Sequence, residues 1–299
     1  MVTGFRVFRQ YSVPDGTIHD MQQSQQSPKT ALITGASGGI GRATARRLAG
    51  SGMDLILHGH ANRTALESLV AALKSQHPAT DITTVYADLS QEAGQTRLME
   101  AVTNLGMAPD ILVLAAGCDL MSEAMKPLPL DERFAILWQV DVVSAMRLSR
   151  YFSERMKQAR LQASGFGLQI SEVEFFPKPE VRSPKPLGTI VFFGWDGVEC
   201  GMAGETAQLY AAAKGAVQGF SRSLAKTLAP EVRVNCVAPG WIKTTWGETS
   251  STATNERVAA ESLARRWGTA EEVAEVVRFL VSDAAAYVNN QTICVNGGR

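Results

Sequence analysis

From residue 29 onward, short apolar runs alternate with amphipathic stretches of helical length. The runs are TALITG (30–35), MDLILHG (53–59), DITTVYAD (81–88), DILVLAAG (110–117), GTIVFFG (188–194), VRVNCVAPG (232–240) and ICVNGG (293–298). They are almost unbroken in apolar character, as strands are when a parallel sheet is covered on both faces. Between them, segments such as 40–50, 62–74 and 271–281 repeat apolar residues with the helical period. Strand and helix in alternation predict an α/β fold, a doubly wound parallel sheet of about seven strands with helices on both faces.

Two segments interrupt that rhythm. Residues 1–28 end in the Gln/Ser-rich MQQSQQSP and read as an N-terminal extension ahead of a single domain, 29–299. Residues 162–188 carry four prolines where a helix-to-strand connection needs only about 2–6 residues, so they read as an insertion. Both precede strands and emerge at the sheet edge opposite the strand C-termini. Their β-prone runs, FRVFRQYSV (5–13) and LQISEVEFF (168–176), are expected to pair with each other, within a subunit or across an oligomer.

Composition narrows the class. Lys+Arg and Asp+Glu both number 29, so charge gives no reason to expect nucleic acid or an anionic membrane as partner. The four cysteines, Cys118, Cys200, Cys236 and Cys294, are scattered without CxxC pairs, which argues against a disulfide framework or a metal site. No apolar run approaches the ~20 residues of a membrane span, and the first residues lack a signal-peptide core. A cytoplasmic location is expected.

Chemistry enters at TGASGGIGRATARRLA (34–49), which follows the first run and opens a helix. Glycines 35, 39 and 41 permit a tight turn and close approach of backbone to a pyrophosphate, which a helix N-terminus then binds. Gly35, Ser37, Gly39, Ile40 and Gly41 are therefore candidate dinucleotide ligands. At the end of the second run an acid would select NAD(H). Here LILHGHANR places Gly59 at that point, with His58, His60 and Arg63 around it, and NADP(H) is favoured over NAD(H). The rival reading of Arg63 is a solvated first turn. Asp88, closing VYADL, is placed to accept from adenine N6 or else to cap a helix. Leu89, Ala115, Ala116 and Gly117 complete the expected cofactor lip.

Tyr210 and Lys214, in LYAAAK, are spaced i,i+4 and share a helix face. A phenol titrates near ~10, too high for efficient proton transfer at neutral pH, and a nearby ammonium lowers that value. Tyrosine can then act as general acid or base beside a hydride transfer.

With TGASGGIG, DILVLAAG, YAAAKGAVQGFSRSLA, VRVNCVAPGWIKT and RWGTAEEVAEVVRFLVSD…NNQTICVNGG in place, the chain resembles the short-chain dehydrogenase/reductase family, in its bacterial ketoacyl-reductase-like branch, over 29–160 and 188–299. The resemblance implies a Rossmann-type homo-oligomer, tetramer or dimer, moving hydride between NAD(P)(H) and a small carbonyl compound or alcohol. It implies that Pro239, Gly240, Ile242 and Thr244 border the nicotinamide, Thr244 at the carboxamide, and that Lys214 binds the ribose.

Three departures stand out. The family's Asn-Asn-Ala-Gly is Leu114-Ala115-Ala116-Gly117. Its relay asparagine falls on Asp141. Its serine, about thirteen residues before the tyrosine, falls on Gly197, or on Asp196 with a one-residue insertion. Losing an oxyanion donor typically costs ~10²–10³ in rate, so Asp196 is a candidate stand-in, if protonated against Trp195 and Phe193. The rival reading is an Asp that caps a strand-end turn. Trp195, Met202, Trp241, Trp246 and Cys118 are expected to wall an apolar substrate pocket under a lid at 244–258. Two alternatives to a reductase stay open: a non-redox step, dehydration or isomerisation, using Asp141, Asp196 and Tyr210, or a nucleotide-binding regulatory subunit.

Overall fold

The computed structural model describes residues 28–163, 186–244 and 250–299. Seven strands form one parallel sheet in the order β3-β2-β1-β4-β5-β6-β9. They are β1 (Thr30–Thr34), β2 (Asp54–Gly59), β3 (Ile82–Tyr86), β4 (Ile111–Leu114), β5 (Gly188–Phe193), β6 (Val232–Pro239) and β9 (Thr292–Val295). Each lies inside or within one residue of a run read from the sequence. A second sheet of two short strands, β7 (Ile242–Lys243) and β8 (Gly268–Thr269), was not foreseen.

Why the runs are so continuously apolar is visible in β1, β4 and β5. Ala31, Ile33, Ile111, Val113, Val191 and Phe193 point into one core. Leu32, Leu112, Leu114, Ile190 and Phe192 point into the other. Strand side chains alternate faces, so two covered faces demand apolar residues at every position. The first core is closed by α1 (Gly39–Ala49), α2 (Arg63–Gln76) and α9 (Ala270–Val281), through Leu48, Leu66 and Val277. The second is closed by α3 (Glu92–Asn104), α5 (Ser144–Ala163) and α7 (Glu205–Leu228), through Leu98, Phe152 and Leu224.

Two irregular pieces matter for the site. Between α4 (Leu130–Leu137) and α5 the helix continues through one π-helical segment, Trp138–Val143, which holds Asp141. Wider turns of this kind recur at functional sites. After β5 comes the short α6 (Gly197–Cys200), and after β7 the helix α8 (Thr252–Glu261), whose N-terminus Ser251 caps by accepting from the Thr254 amide at 3.2 Å. Residues 252–258 of the expected lid are therefore helix. The β-prone runs in 1–27 and 164–185, and Trp246, lie outside the described residues.

The strand order reverses between β1 and β4, and the C-terminal ends on either side of such a point are where doubly wound sheets bind ligands.

Candidate active site

The loop after β1 is shaped by contacts that leave no room for side chains. Gly35 has φ +66°, and a Cβ there would lie 2.7 Å from Ala116 Cα. A Cβ on Gly41 would run into the Gly35 carbonyl oxygen, and one on Gly39 would meet Thr244 Cγ2 at 2.8 Å. No side chain caps α1 and no acid occupies its first turn, so its amides and positive dipole end stay open to an anion. A bare backbone cradle of this kind fits a pyrophosphate. Thr244 packs against the loop at Gly39. Ser37 and Ile40 are half-buried on the same rim.

At the second strand the expectation needs correcting. His58 is buried, accepting from the Gly35 amide at Nδ1 (3.2 Å) and donating from Nε2 to the Ala87 carbonyl at 3.0 Å. Burial pulls its pKa down to about 4, against the Ala87 hydrogen bond. It is a neutral bolt between the glycine loop and the end of β3, not part of a basic surface. That surface is reduced to His60 and Arg63, both exposed. The Arg63 guanidinium stacks over the Tyr86 ring at 4.3 Å. Asp88 accepts from the Ser90 amide (2.9 Å) and hydroxyl (2.7 Å), with His60 3.8 Å away. Burial would raise its pKa, but the Ser90 bonds and His60 outweigh this and hold it low. Leu89 turns its side chain into the core, so only its backbone can border a ligand.

The surroundings of Tyr210 and Lys214 are assembled from four segments. On α7, the Lys214 ammonium lies 5.4 Å from the centroid of the Tyr210 ring. It donates to the Phe193 carbonyl at the end of β5 (3.1 Å) and is paired with Asp141 Oδ2 at 2.8 Å, both side chains nearly or wholly sealed from solvent. The other Asp141 oxygen accepts from the Cys118 amide at 2.8 Å. Gly117 packs directly over this carboxylate, where a Cβ would be 3.4 Å from Oδ2. The Leu-Ala-Ala-Gly departure is accommodated differently: the Ala116 amide is taken by Thr34 Oγ1 at 3.1 Å. A run of contacts thus leads from Gly35 through Ala116, Gly117 and Asp141 to Lys214 and Tyr210.

Lys214 acts on the tyrosine in the expected sense, favouring phenolate, but burial outweighs it. Burial would lower the Lys214 pKa, but Asp141 and then Tyr210 outweigh it and hold it above its ordinary value. Tyr210 is raised, first by burial; Lys214 pulls the other way, and Asp141, Asp119 and Cys118 oppose Lys214. Cys118 is itself pushed up to about 12 by burial and by the neighbouring Asp141, and stays a thiol.

Position 197, where the resemblance expects a serine, is closed to any side chain. A Cβ on Gly197 would enter the Trp195 ring, 2.5 Å from Cη2 and 2.6 Å from Cε2. The indole lies edge-on to Tyr210, with centroids 5.3 Å apart and planes at 68°.

Two family models cover nearly all of the described chain: short chain dehydrogenase over 29–168, and enoyl-(acyl carrier protein) reductase over 178–299. The 3-oxoacyl-[acyl-carrier-protein] reductase FabG of Escherichia coli is 32% identical over 90% of this chain and 96% of its own. An uncharacterized oxidoreductase, YmfI of Bacillus subtilis, is 31% identical over 90% and 98%. The chain belongs to the short-chain dehydrogenase/reductase family. Among solved structures, a Burkholderia cenocepacia short chain dehydrogenase in complex with NADP superposes with a TM-score of 0.73, covering 90% of this chain and 97% of that one at 24% identity. A blue fluorescent protein from a metagenomic library, in complex with NADPH, gives 0.71 over 92% and 99% at 26% identity.

Against that family background, the Asp196 carboxylate is engaged by the segment after β9. It accepts from Asn296 Nδ2 at 3.3 Å and faces Arg299 at 3.5 Å. Burial pushes its pKa up, against Arg299 and Asn296. Arg299 continues to Glu261 at 3.2 Å, and Glu261 accepts from Trp241 Nε1 at 2.9 Å and pairs with Arg257 at 2.6 Å. The cluster ties the end of β5 to α8 and to the segment after β9. Sequence reasoning missed it because residues 196, 261, 296 and 299 share no motif. Gly240 packs against Asn296, where a Cβ would be 2.6 Å from its Cβ, while Pro239 and Ile242 are buried. Trp195 does stand beside Tyr210, whereas Trp241 packs on Trp267, 5.7 Å between centroids, and belongs to the α8 cluster.

Proposed function

We propose that this member of the family is an NADP(H)-dependent oxidoreductase that reduces a small carbonyl compound, or in reverse oxidises an alcohol, with Tyr210 as general acid/base. The observation that carries it is the continuous run of contacts from the glycine cradle to the Tyr210–Lys214 pair. The cofactor, when bound, supplies or accepts the hydride. The chain's own residues do the rest. The α1 amides and the glycine loop hold the pyrophosphate, and His58 keeps that loop against β3. Arg63, aided by His60, receives a 2′-phosphate, and no acid stands at Gly59 to oppose it. NADP and NADPH in the two superposed structures support this preference.

Lys214 has three donors; it donates to Phe193 and is ion-paired with Asp141, which leaves donor capacity for a ribose hydroxyl. Tyr210 faces the substrate side, and no described residue hydrogen-bonds its hydroxyl. The substrate meets Trp195 as its wall. We also carry forward a homo-oligomer, dimer or tetramer, to be measured by light scattering.

A second reading, a step without net redox, is favoured by the closed position 197, which leaves the oxyanion one donor short. The test is purified protein with NADPH or NADH and a panel of aldehydes, ketones and 3-oxoacyl thioesters, followed at the reduced-nicotinamide absorbance. Turnover with NADPH that Tyr210→Phe abolishes supports the reductase. Tight NADPH binding without turnover on any member moves the weight to the second reading or to a regulatory subunit.

A further inference from the structure

An aspartate beside the catalytic lysine changes what the tyrosine is suited to do. Lys214 is the cation that acts on Tyr210 most directly, its ammonium 5.4 Å from the ring centroid; Arg133, on α4, lies beyond it against Cys118 and Thr206. The Lys214 charge would favour phenolate, as a nearby opposite charge does by about 1–3 pH units. But Asp141 lies 2.8 Å from the ammonium, both groups are sealed from water, and the Cys118 amide fixes the carboxylate from behind. At that distance and burial the carboxylate offsets part of the ammonium's field at the phenol.

We propose that Asp141 is a positioning residue that withdraws Lys214's charge from Tyr210, keeping the phenol as a proton donor and adapting the centre to carbonyl reduction rather than alcohol oxidation. The inference rests on the reductase reading. In that direction the Tyr210 proton passes to the carbonyl oxygen while the C=O pair moves onto that oxygen. The carbonyl carbon takes a hydride from a reduced nicotinamide dinucleotide, which is oxidised by two electrons. The phenolate left behind recovers its proton from solvent.

The other groups named as acting on Tyr210 work in the same sense as Asp141. Asp119 and Cys118, in the loop after β4, disfavour phenolate. The Trp195 ring, after β5, lies edge-on to the phenol and brings no charge. Asp196 follows Trp195 but is turned to Asn296 and Arg299. A carboxamide at 141 would keep the hydrogen bond from Cys118 and remove the negative charge.

The experiment is the pH profile of Asp141→Asn, in both directions, with a carbonyl and alcohol pair the wild type turns over. The alkaline limb of reduction is expected to move down by about one pH unit or more, and alcohol oxidation at neutral pH to rise about tenfold. Unchanged limbs in a folded variant that still binds NADPH overturn the proposal. Should the variant not fold, or should no substrate be found, the wild-type full chain decides. Tyrosine labelled with ¹³C at Cζ, with Tyr210 assigned through Tyr210→Phe, is titrated by NMR. A phenol signal that persists through neutral pH is expected; phenolate at neutral pH contradicts the idea. Failure of the reductase reading shows separately, as absence of turnover in the wild type.

Discussion

The Trp195 indole rests edge-on against Tyr210, centroids 5.3 Å apart, and fills the space a side chain at position 197 would need. Glycine at 197 and tryptophan at 195 are therefore sterically coupled. Restoring a serine alone should fail. Gly197→Ser is expected to destabilise by about 1–3 kcal/mol through overpacking and to lower kcat/KM, because the indole must leave its place against Tyr210. Gly197→Ser combined with Trp195→Ala removes the clash, and its kcat/KM should exceed that of Gly197→Ser alone. Melting temperatures and kcat/KM for the two single variants and the double form the cycle that checks this.

Asp196 gives a contrasting expectation. Because its carboxylate faces Asn296 and Arg299, Asp196→Asn should retain kcat within a few-fold. Arg299→Ala, which leaves the buried Asp196 without its cation, should lower the melting temperature far more than Asp196→Asn does. A loss of 10² or more in kcat for Asp196→Asn at unchanged stability would restore it as the serine's substitute.

His58 predicts a pH dependence with a definite sign. Its folded pKa, about 4, lies below the ordinary value of 6.5, so the unfolded chain binds the extra proton first. Stability from this group is fully present above about pH 6.5 and is lost as pH falls toward 4, at most about 3 kcal/mol. Thermal melts between pH 7 and 4.5 should drop more steeply for wild type than for His58→Gln. Parallel curves would mean that His58 is not the group responsible.

Cofactor preference turns on Arg63. Arg63→Ala should raise KM for NADPH about tenfold while leaving KM for NADH nearly unchanged, the signature of a lost 2′-phosphate contact. Equal losses with both cofactors would instead make its stack on Tyr86 structural.

Local chemistry determines which of these features can be read from the chain alone. All seven strands of the large sheet were legible, because burial on both faces writes itself as unbroken apolar runs. The glycine cradle and the Tyr210–Lys214 pair were legible as well, since each lies within a single loop or helix. What was not legible depends on the meeting of distant segments. His58 looked like a surface base beside Arg63, and only the approach of Gly35 and Ala87 shows it buried. Asp196 looked poised toward the tyrosine, but the segment after β9 draws it away. Asp141 was recognised as an unusual charge; that Lys214 is its partner required the π-helical segment to be placed against α7.

The central claim is that this chain transfers hydride at the Tyr210 centre. The most direct measurement uses NADPH carrying deuterium at both C4 positions of the nicotinamide, with the best carbonyl compound from the panel and mass spectrometry of the product. Deuterium on the former carbonyl carbon, with the rate reduced by 10² or more in Tyr210→Phe, is the predicted result. Product formed without deuterium, or undiminished transfer in Tyr210→Phe, would contradict it.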